Sequence, residues 1–215
     1  MLFPNARIII FARAPIPGQC KTRLIPAIGA QAAAELHARL LWQTLTTATQ
    51  ARLCQVELWC ADQPEHAFFK HCQQHFAVSL KQQQGANLGE RMNHAFTQTL
   101  TKAERAILIG CDCPALQPSD LAQALSVLEQ HDCVLKPAAD GGYVLIGLNN
   151  ADARIFQDVD WGSSHVLRQT RQQLKKQKTN WLELATTWDL DRPEDLLKFK
   201  QLELNNLHNL PLIFA

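Results

Sequence analysis

Two segments, RIIIFA at 7–12 and RAILIG at 105–110, are nearly unbroken apolar runs of strand length. Strands that face water on one side alternate apolar and polar residues, so continuous runs of this kind require cover on both faces. Further strand candidates are Gln55–Cys60, Phe76–Leu80, Asp132–Lys136, Tyr143–Leu148 and Trp181–Ala185. Between them lie segments with helical periodicity. Ala33, Leu36, Leu40, Thr44 and Ala48 mark one helix, and Leu88, Met92, Phe96 and Leu100 mark a second. Ser119 reads as an N-cap leading Leu121, Leu125 and Leu128 onto one face. The pair Ser163–Ser164 reads as the start of a helix carrying Val166, Thr170 and Leu174, and a last helix starts near Pro193. Strand and helix alternate through most of the chain, which predicts the α/β class: a mainly parallel, mixed sheet flanked by helices on both faces. With 215 residues and no repeat or linker, a single domain over 1–215 is expected.

A formal net charge of +1 excludes the broad electropositive surface that nucleic-acid binding or an anionic membrane would call for. No apolar run approaches membrane-spanning length, so no membrane insertion is expected. Seven cysteines, an odd number without a two-residue zinc or redox spacing, suit a reducing compartment and a cytoplasmic protein. The segment His71-Cys72-x-x-His75 lacks a second ligand pair and reads as a helix surface.

In parallel sheets ligands bind beyond the carboxyl ends of the strands. Three of the loops there carry chemistry. The first, FARAPIPGQCKTRL, concentrates Arg13, Lys21 and Arg23 around Gly18 and places the Thr22 hydroxyl beside them. Cations and donors grouped before a helix suit a di- or triphosphate. A P-loop is rejected, because Cys20 stands where its last glycine belongs. The second, ILIGCDCPAL, presents Asp112 just past an apolar strand, where a carboxylate can hold Mg²⁺ or Mn²⁺ against phosphate oxygens. A hard cation needs more than one carboxylate. The third loop, WDLDRPEDL, supplies Asp189 and Asp191, although taken alone it is an ordinary acidic helix start. On the acceptor side, Asp140-Gly141-Gly142-Tyr143 and Trp161-Gly162-Ser163-Ser164 offer close backbone approach and aromatic surface. The same segments equally describe a hairpin turn and a capped helix beside a buried tryptophan.

The ordered set FARAPIPGQCKTRL, GANLGERMNHAF, ILIGCDCPAL, KPAADGGYVLIGL, VDWGSSHVL and WDLDRPEDL resembles the bacterial radical-SAM/selenodomain-associated glycosyltransferase-like proteins, some assigned to arsenosugar biosynthesis. The resemblance spans roughly residues 8–196 and implies a Rossmann-like GT-A fold, that of the nucleotide-diphospho-sugar transferases. More broadly the chain resembles nucleotidyltransferases, in which a basic loop corresponding to Lys21 and Arg23 binds triphosphate. That wider resemblance implies that a helix start at Gly89–Asn93 lies near the base and that Asp112 and Asp191 bind the metal. Cys111-Asp112-Cys113 departs from the Asp-x-Asp of many GT-A glycosyltransferases. The expected activity is therefore metal-dependent glycosyl transfer from a nucleotide-sugar to a small-molecule acceptor. The alternatives are nucleotidyl transfer from an NTP to a phosphorylated acceptor, with pyrophosphate release, and a non-catalytic nucleotide-binding module. The expected catalytic residues are Lys21, Arg23 and Asp112. The expected nucleotide-binding set is Arg13, Gly18, Lys21, Thr22, Arg23, Gly89 and Asn93, and the acceptor set is Asp140, Gly141, Gly142, Tyr143, Trp161, Ser163 and Ser164.

Overall fold

The computed structural model describes residues 1–205, so the expected 1–215 unit runs past the described part of the chain. The strands are β1 (Ala6–Arg13), β2 (Gln55–Ala61), β3 (Ser79–Gln82), β4 (Arg105–Ile109), β5 (Cys133–Pro137), β6 (Tyr143–Leu148) and β7 (Trp181–Glu183). The helices are α1 (Ile25–Ile28), α2 (Ala30–Gln50), α3 (Ala67–Phe76), α4 (Leu88–Thr99), α5 (Pro118–Val127), α6 (Val166–Lys176) and α7 (Asp195–Asn205).

Both unbroken apolar runs become central strands. The sheet order is β3-β2-β1-β4-β6-β5-β7. Along β1, Ile8 and Ile10 point into one core cluster with Leu41 and Leu45 of α2, Phe69 of α3 and Leu125 of α5. Ile9 and Phe11 point into the other, with Met92 and Phe96 of α4 and Leu174 of α6. Period-two alternation thus continues, with both faces apolar because both are covered.

The sheet is mixed. β1 pairs in parallel with β2 and β4, β2 with β3, and β5 with β7. β6 runs antiparallel between β4 and β5. The reason is the short link from β5 to β6. Ala138 N–H closes the turn onto the Gly142 carbonyl at 3.0 Å, and Gly141 takes φ +93° inside it. A link of this length makes a hairpin, whereas a parallel crossover needs a dozen residues or more.

Several boundaries differ from the sequence expectation. Phe76 ends α3 instead of opening a strand, because Ala77 adopts a left-handed conformation (φ 53°) that stops the helix. Gln117, not Ser119, caps α5, its backbone N–H donating to Asp120 Oδ2 at 2.9 Å. Ser163 Oγ accepts from His165 N–H at 3.1 Å and donates to the Asp160 carbonyl at 2.8 Å, so the serine pair forms a turn ahead of α6. Pro193 likewise lies in the turn before α7, whose Asp195 carboxylate accepts from Arg192 N–H at 3.0 Å. His71 and His75 pack on the Trp42 indole, with ring centroids 5.3 and 4.6 Å away.

Candidate active site

Chain crossings bring together loops that are far apart in sequence. β1 leads to Lys21, which takes a left-handed conformation (φ 47°) as it opens the 3-10 turn Thr22–Leu24. A non-glycine residue holds such a conformation only where its surroundings over-determine it. The Lys21 side chain is 3% exposed, and its Nζ lies 2.7 Å from Asp112 Oδ1 while also donating to the Leu190 carbonyl. Leu190 N–H in turn donates to the Asp112 carbonyl at 2.7 Å, docking the Asp189–Asp191 segment beside the loop after β4. Arg23 ion-pairs with Asp191 on the solvent side. The β5–β6 turn joins the same group, since Ala139 N–H donates to the Thr187 carbonyl at 3.0 Å.

The result is an acidic cluster edged by cations. Burial pushes the Asp189 carboxyl up to about 6, helped by the fields of Asp140, Asp112 and Asp191. Burial also opposes charge on Asp112, but the Lys21 ammonium outweighs it and holds the carboxyl below its ordinary range. The pair is reciprocal: burial works against the Lys21 ammonium, and Asp112 more than compensates. A bound divalent cation would offset the repulsion that neighbouring carboxylates add to the burial of Asp189. Asp112 and Asp191 both act on Asp189 through their fields, while among the described residues the ligand atoms that lie within 4.8 Å of one another are those of His37, Cys111 and Asp112.

Other expected residues sit around this centre. Gly18 takes φ +83° in open space, and Thr22 is exposed on the first position of the 3-10 turn. Arg13 is exposed at the end of β1, its carbonyl 3.1 Å from His37 Nε2. Gly89 lies in the first turn of α4, one turn before half-buried Asn93. A Cβ at Gly89 would come within 2.8 Å of the Trp161 indole nitrogen, so residues expected on the nucleotide and acceptor sides are neighbours. The two glycine turns also meet: Leu167 N–H donates to the Gly141 carbonyl at 2.9 Å, and a Cβ on Gly141 would lie 2.2 Å from the Ser164 carbonyl. Asp140 Oδ1 accepts from Gly142 N–H at 2.9 Å. Tyr143 is placed differently from a stacking platform. Its ring packs on the second core cluster, its hydroxyl is buried, and burial pushes the phenol well above its ordinary range.

Sequence reasoning gave no role to His37 or Cys111, and it assigned Asp140 only to the acceptor side. His37, Cys111 and Asp112 offer ligand atoms that all lie within 4.8 Å of one another. The available signal was a histidine on the apolar stripe of α2 and a thiol adjoining Asp112, both of which ordinary core packing also produces.

The mixed sheet with helices on both faces is the fold of nucleotide-diphospho-sugar transferases and cytidylyltransferases. Residues 44–163 match a bacterial family described as an uncharacterized protein conserved in bacteria, DUF2064, and the chain belongs to that family. A solved structure from Desulfovibrio desulfuricans G20, described as a candidate nucleotide-diphospho-sugar transferase, is 27% identical. The match covers 94% of this chain and 89% of that one with a TM-score of 0.85. The CMP:2-keto-3-deoxy-manno-octonic acid synthetase complexed with CTP shares the fold at 14% identity, with 94% and 99% coverage and a TM-score of 0.59. Rv0371c of Mycobacterium tuberculosis H37Rv, solved as a complex with manganese, does so at 15% identity, with 92% and 98% coverage and a TM-score of 0.59. No curated protein matches the chain. Among the described residues no helix is long and apolar enough to cross a membrane.

Proposed function

We propose that this chain is a metal-dependent nucleotidyltransferase that joins an NTP to a phosphorylated small-molecule acceptor. The observation that carries the reading is the convergence of Asp112 with Asp189 and Asp191, from separate loops, around the buried Lys21 ammonium. Many GT-A glycosyltransferases take their metal carboxylates from one Asp-x-Asp loop, whereas here Cys111 and Cys113 flank Asp112. The CTP and manganese complexes of proteins with this fold support the same assignment. When bound, Mg²⁺ or Mn²⁺ would neutralise charge on the polyphosphate and the departing pyrophosphate.

The chain's own residues supply position and charge. Lys21, enclosed and pinned by Asp112 and the Leu190 carbonyl, holds the Asp112 carboxylate in place and lends the phosphate side its field from below. Arg23 adds a planar cation at the solvent edge, and Gly18 and Thr22 shape the loop between. An oxygen of the acceptor phosphate bonds to the α-phosphorus as the bond to the β-phosphate oxygen breaks, and pyrophosphate leaves. The meeting point of the Gly141 and Ser164 turns, beside Asp140 and Trp161, is the acceptor side. Gly89 and Asn93 on α4 sit toward the base.

Glycosyl transfer from a nucleotide-sugar is the second reading. The description of the structure that is 27% identical favours it, as does the sequence's resemblance to the radical-SAM/selenodomain-associated proteins. One experiment separates them. Purified protein is given each NTP or nucleotide-sugar, with Mg²⁺ or Mn²⁺ and a set of phosphorylated acceptors, and the products are analysed. Pyrophosphate release that depends on NTP and acceptor is the expected result; release of a nucleoside diphosphate from a nucleotide-sugar supports the second reading. If neither NTPs nor nucleotide-sugars shift the melting temperature with either metal, both readings fail.

A further inference from the structure

His37 lies on the buried stripe of α2 and is 5% exposed. Its Nε2 is 3.1 Å from the Arg13 carbonyl oxygen. A carbonyl only accepts, so Nε2 carries the proton and Nδ1 of the neutral ring carries a lone pair. That Nδ1 is buried, has no hydrogen-bond partner, and lies 4.0 Å from Asp112 Oδ1. Donation of one ring N–H to a backbone carbonyl while the other nitrogen stays free is the arrangement of a metal-binding histidine. Cys111 Sγ, equally enclosed, lies 3.8 Å from the same carboxylate oxygen.

We infer that His37 Nδ1, Cys111 Sγ and Asp112 Oδ1 form a three-donor site for a borderline-soft divalent cation, with Zn²⁺ the best fit. Nitrogen and sulfur donors select zinc over the oxygen-seeking Mg²⁺, and three protein ligands leave a fourth position open. The Asp112 side chain is 47% exposed, which gives an ion its way in. The donors lie within 4.8 Å of one another, so closing on a tetrahedral ion draws them together by up to about an ångström. On binding, the Cys111 S–H bond breaks, the sulfur coordinates the ion, and one proton leaves to solvent for each ion bound. The ion shares Asp112 with the Lys21 ammonium and so draws the carboxylate away from the phosphate side. Zinc would therefore inhibit the nucleotide-dependent activity, a consequence that rests on the function proposed above; the metal site itself does not.

The test uses the full chain, reduced, stripped with chelator and titrated with Co²⁺ as a spectroscopic stand-in. The expected result is a thiolate-to-cobalt charge-transfer band that saturates at about one ion per chain and is erased by Zn²⁺. Cys111→Ser, nearly isosteric, should lose the band while keeping its circular dichroism and cooperative melt. His37→Gln, which retains a donor for the Arg13 carbonyl, should weaken binding by roughly tenfold or more. Asp191→Asn removes a carboxylate of the phosphate side but none of these donors, so it keeps the band. A folded wild type without the band, or an undiminished band in Cys111→Ser, overturns the inference. A band in a protein that answers to no nucleotide overturns the proposed function instead and leaves the zinc site standing.

Discussion

Lys21 Nζ stands 2.7 Å from Asp112 Oδ1, joining the loop after β1 to the loop after β4. The ammonium is almost fully enclosed, so its charge is tolerable only while the carboxylate faces it. Asp112→Asn keeps the side chain's shape and removes that charge. The variant is expected to melt at a lower temperature. Its cost should fall below the about 3–5 kcal/mol of breaking a fully buried pair, because Asp112 is partly solvated. It should also lose any metal-dependent shift with nucleotide. Thermal melts with and without Mn²⁺ and NTP check both; a variant retaining the wild-type nucleotide response would remove Asp112 from the site.

Asp189 sets a pH dependence of unusual sign. Its carboxyl is pushed up to about 6, first by burial and then by Asp140, against an ordinary value of 3.8. Between about pH 4 and 6 the folded chain binds a proton that the unfolded chain has released, so this contribution to stability falls as pH rises through that window. Above it, the ionised group is a standing cost. Asp189→Asn should therefore stabilise the metal-free protein at about pH 7.5 and change it little at about pH 4. Urea unfolding of wild type and variant in parallel isolates the effect. His37 and Asp112, both shifted down despite opposite influences of burial, tilt stability the other way, being lost as pH falls.

Metal should act through the same cluster. Its positive charge replaces the proton that Asp189 otherwise retains, so Mn²⁺ is expected to raise the wild-type melting temperature more at about pH 7.5 than at about pH 5. Equal shifts at both values would argue against carboxylate ligation.

The Arg23–Asp191 pair separates stability from binding. The arginine side chain is 54% exposed and the carboxylate 33%, so the pair contributes no more than about 1 kcal/mol. Arg23→Gln should melt near the wild type. Its affinity for NTP, measured by titration calorimetry, should drop by about tenfold, in keeping with the loss of a charged hydrogen bond.

Two glycines give a contrast in strain. Gly18 (φ +83°) has nothing within 4 Å of a built Cβ, whereas at Gly141 (φ +93°) that atom would lie 2.2 Å from the Ser164 carbonyl. Gly18→Ala should cost about 1–2 kcal/mol from conformation alone. Gly141→Ala should cost more, about 3 kcal/mol, as the turn is forced off the Ser164 segment. Equilibrium unfolding of the two variants tests the order.

Much of the architecture was legible because burial leaves a local record. Ile8 to Phe11 and Ile107 to Ile109 are apolar on consecutive positions, and only a strand covered on both faces rewards that pattern. Asp112 was legible as a candidate because Pro114 and the end of an apolar strand fix it at a carboxyl edge. The direction of β6 was not, since a strand's residues read alike either way and the turn at 138–142 decides it.

By itself, then, the sequence determined which segments build a covered sheet and which loops carry charge, because burial and turn chemistry are properties of neighbouring residues. Only the tertiary structure decided that Lys21 meets Asp112, that Asp140 bears on Asp189, and that His37 turns an unpaired nitrogen toward Cys111 and Asp112. These relations depend on charge, lone pairs and distance across chain crossings. A helical stripe marks His37 as inward-facing, but the fold alone sets what waits for it there.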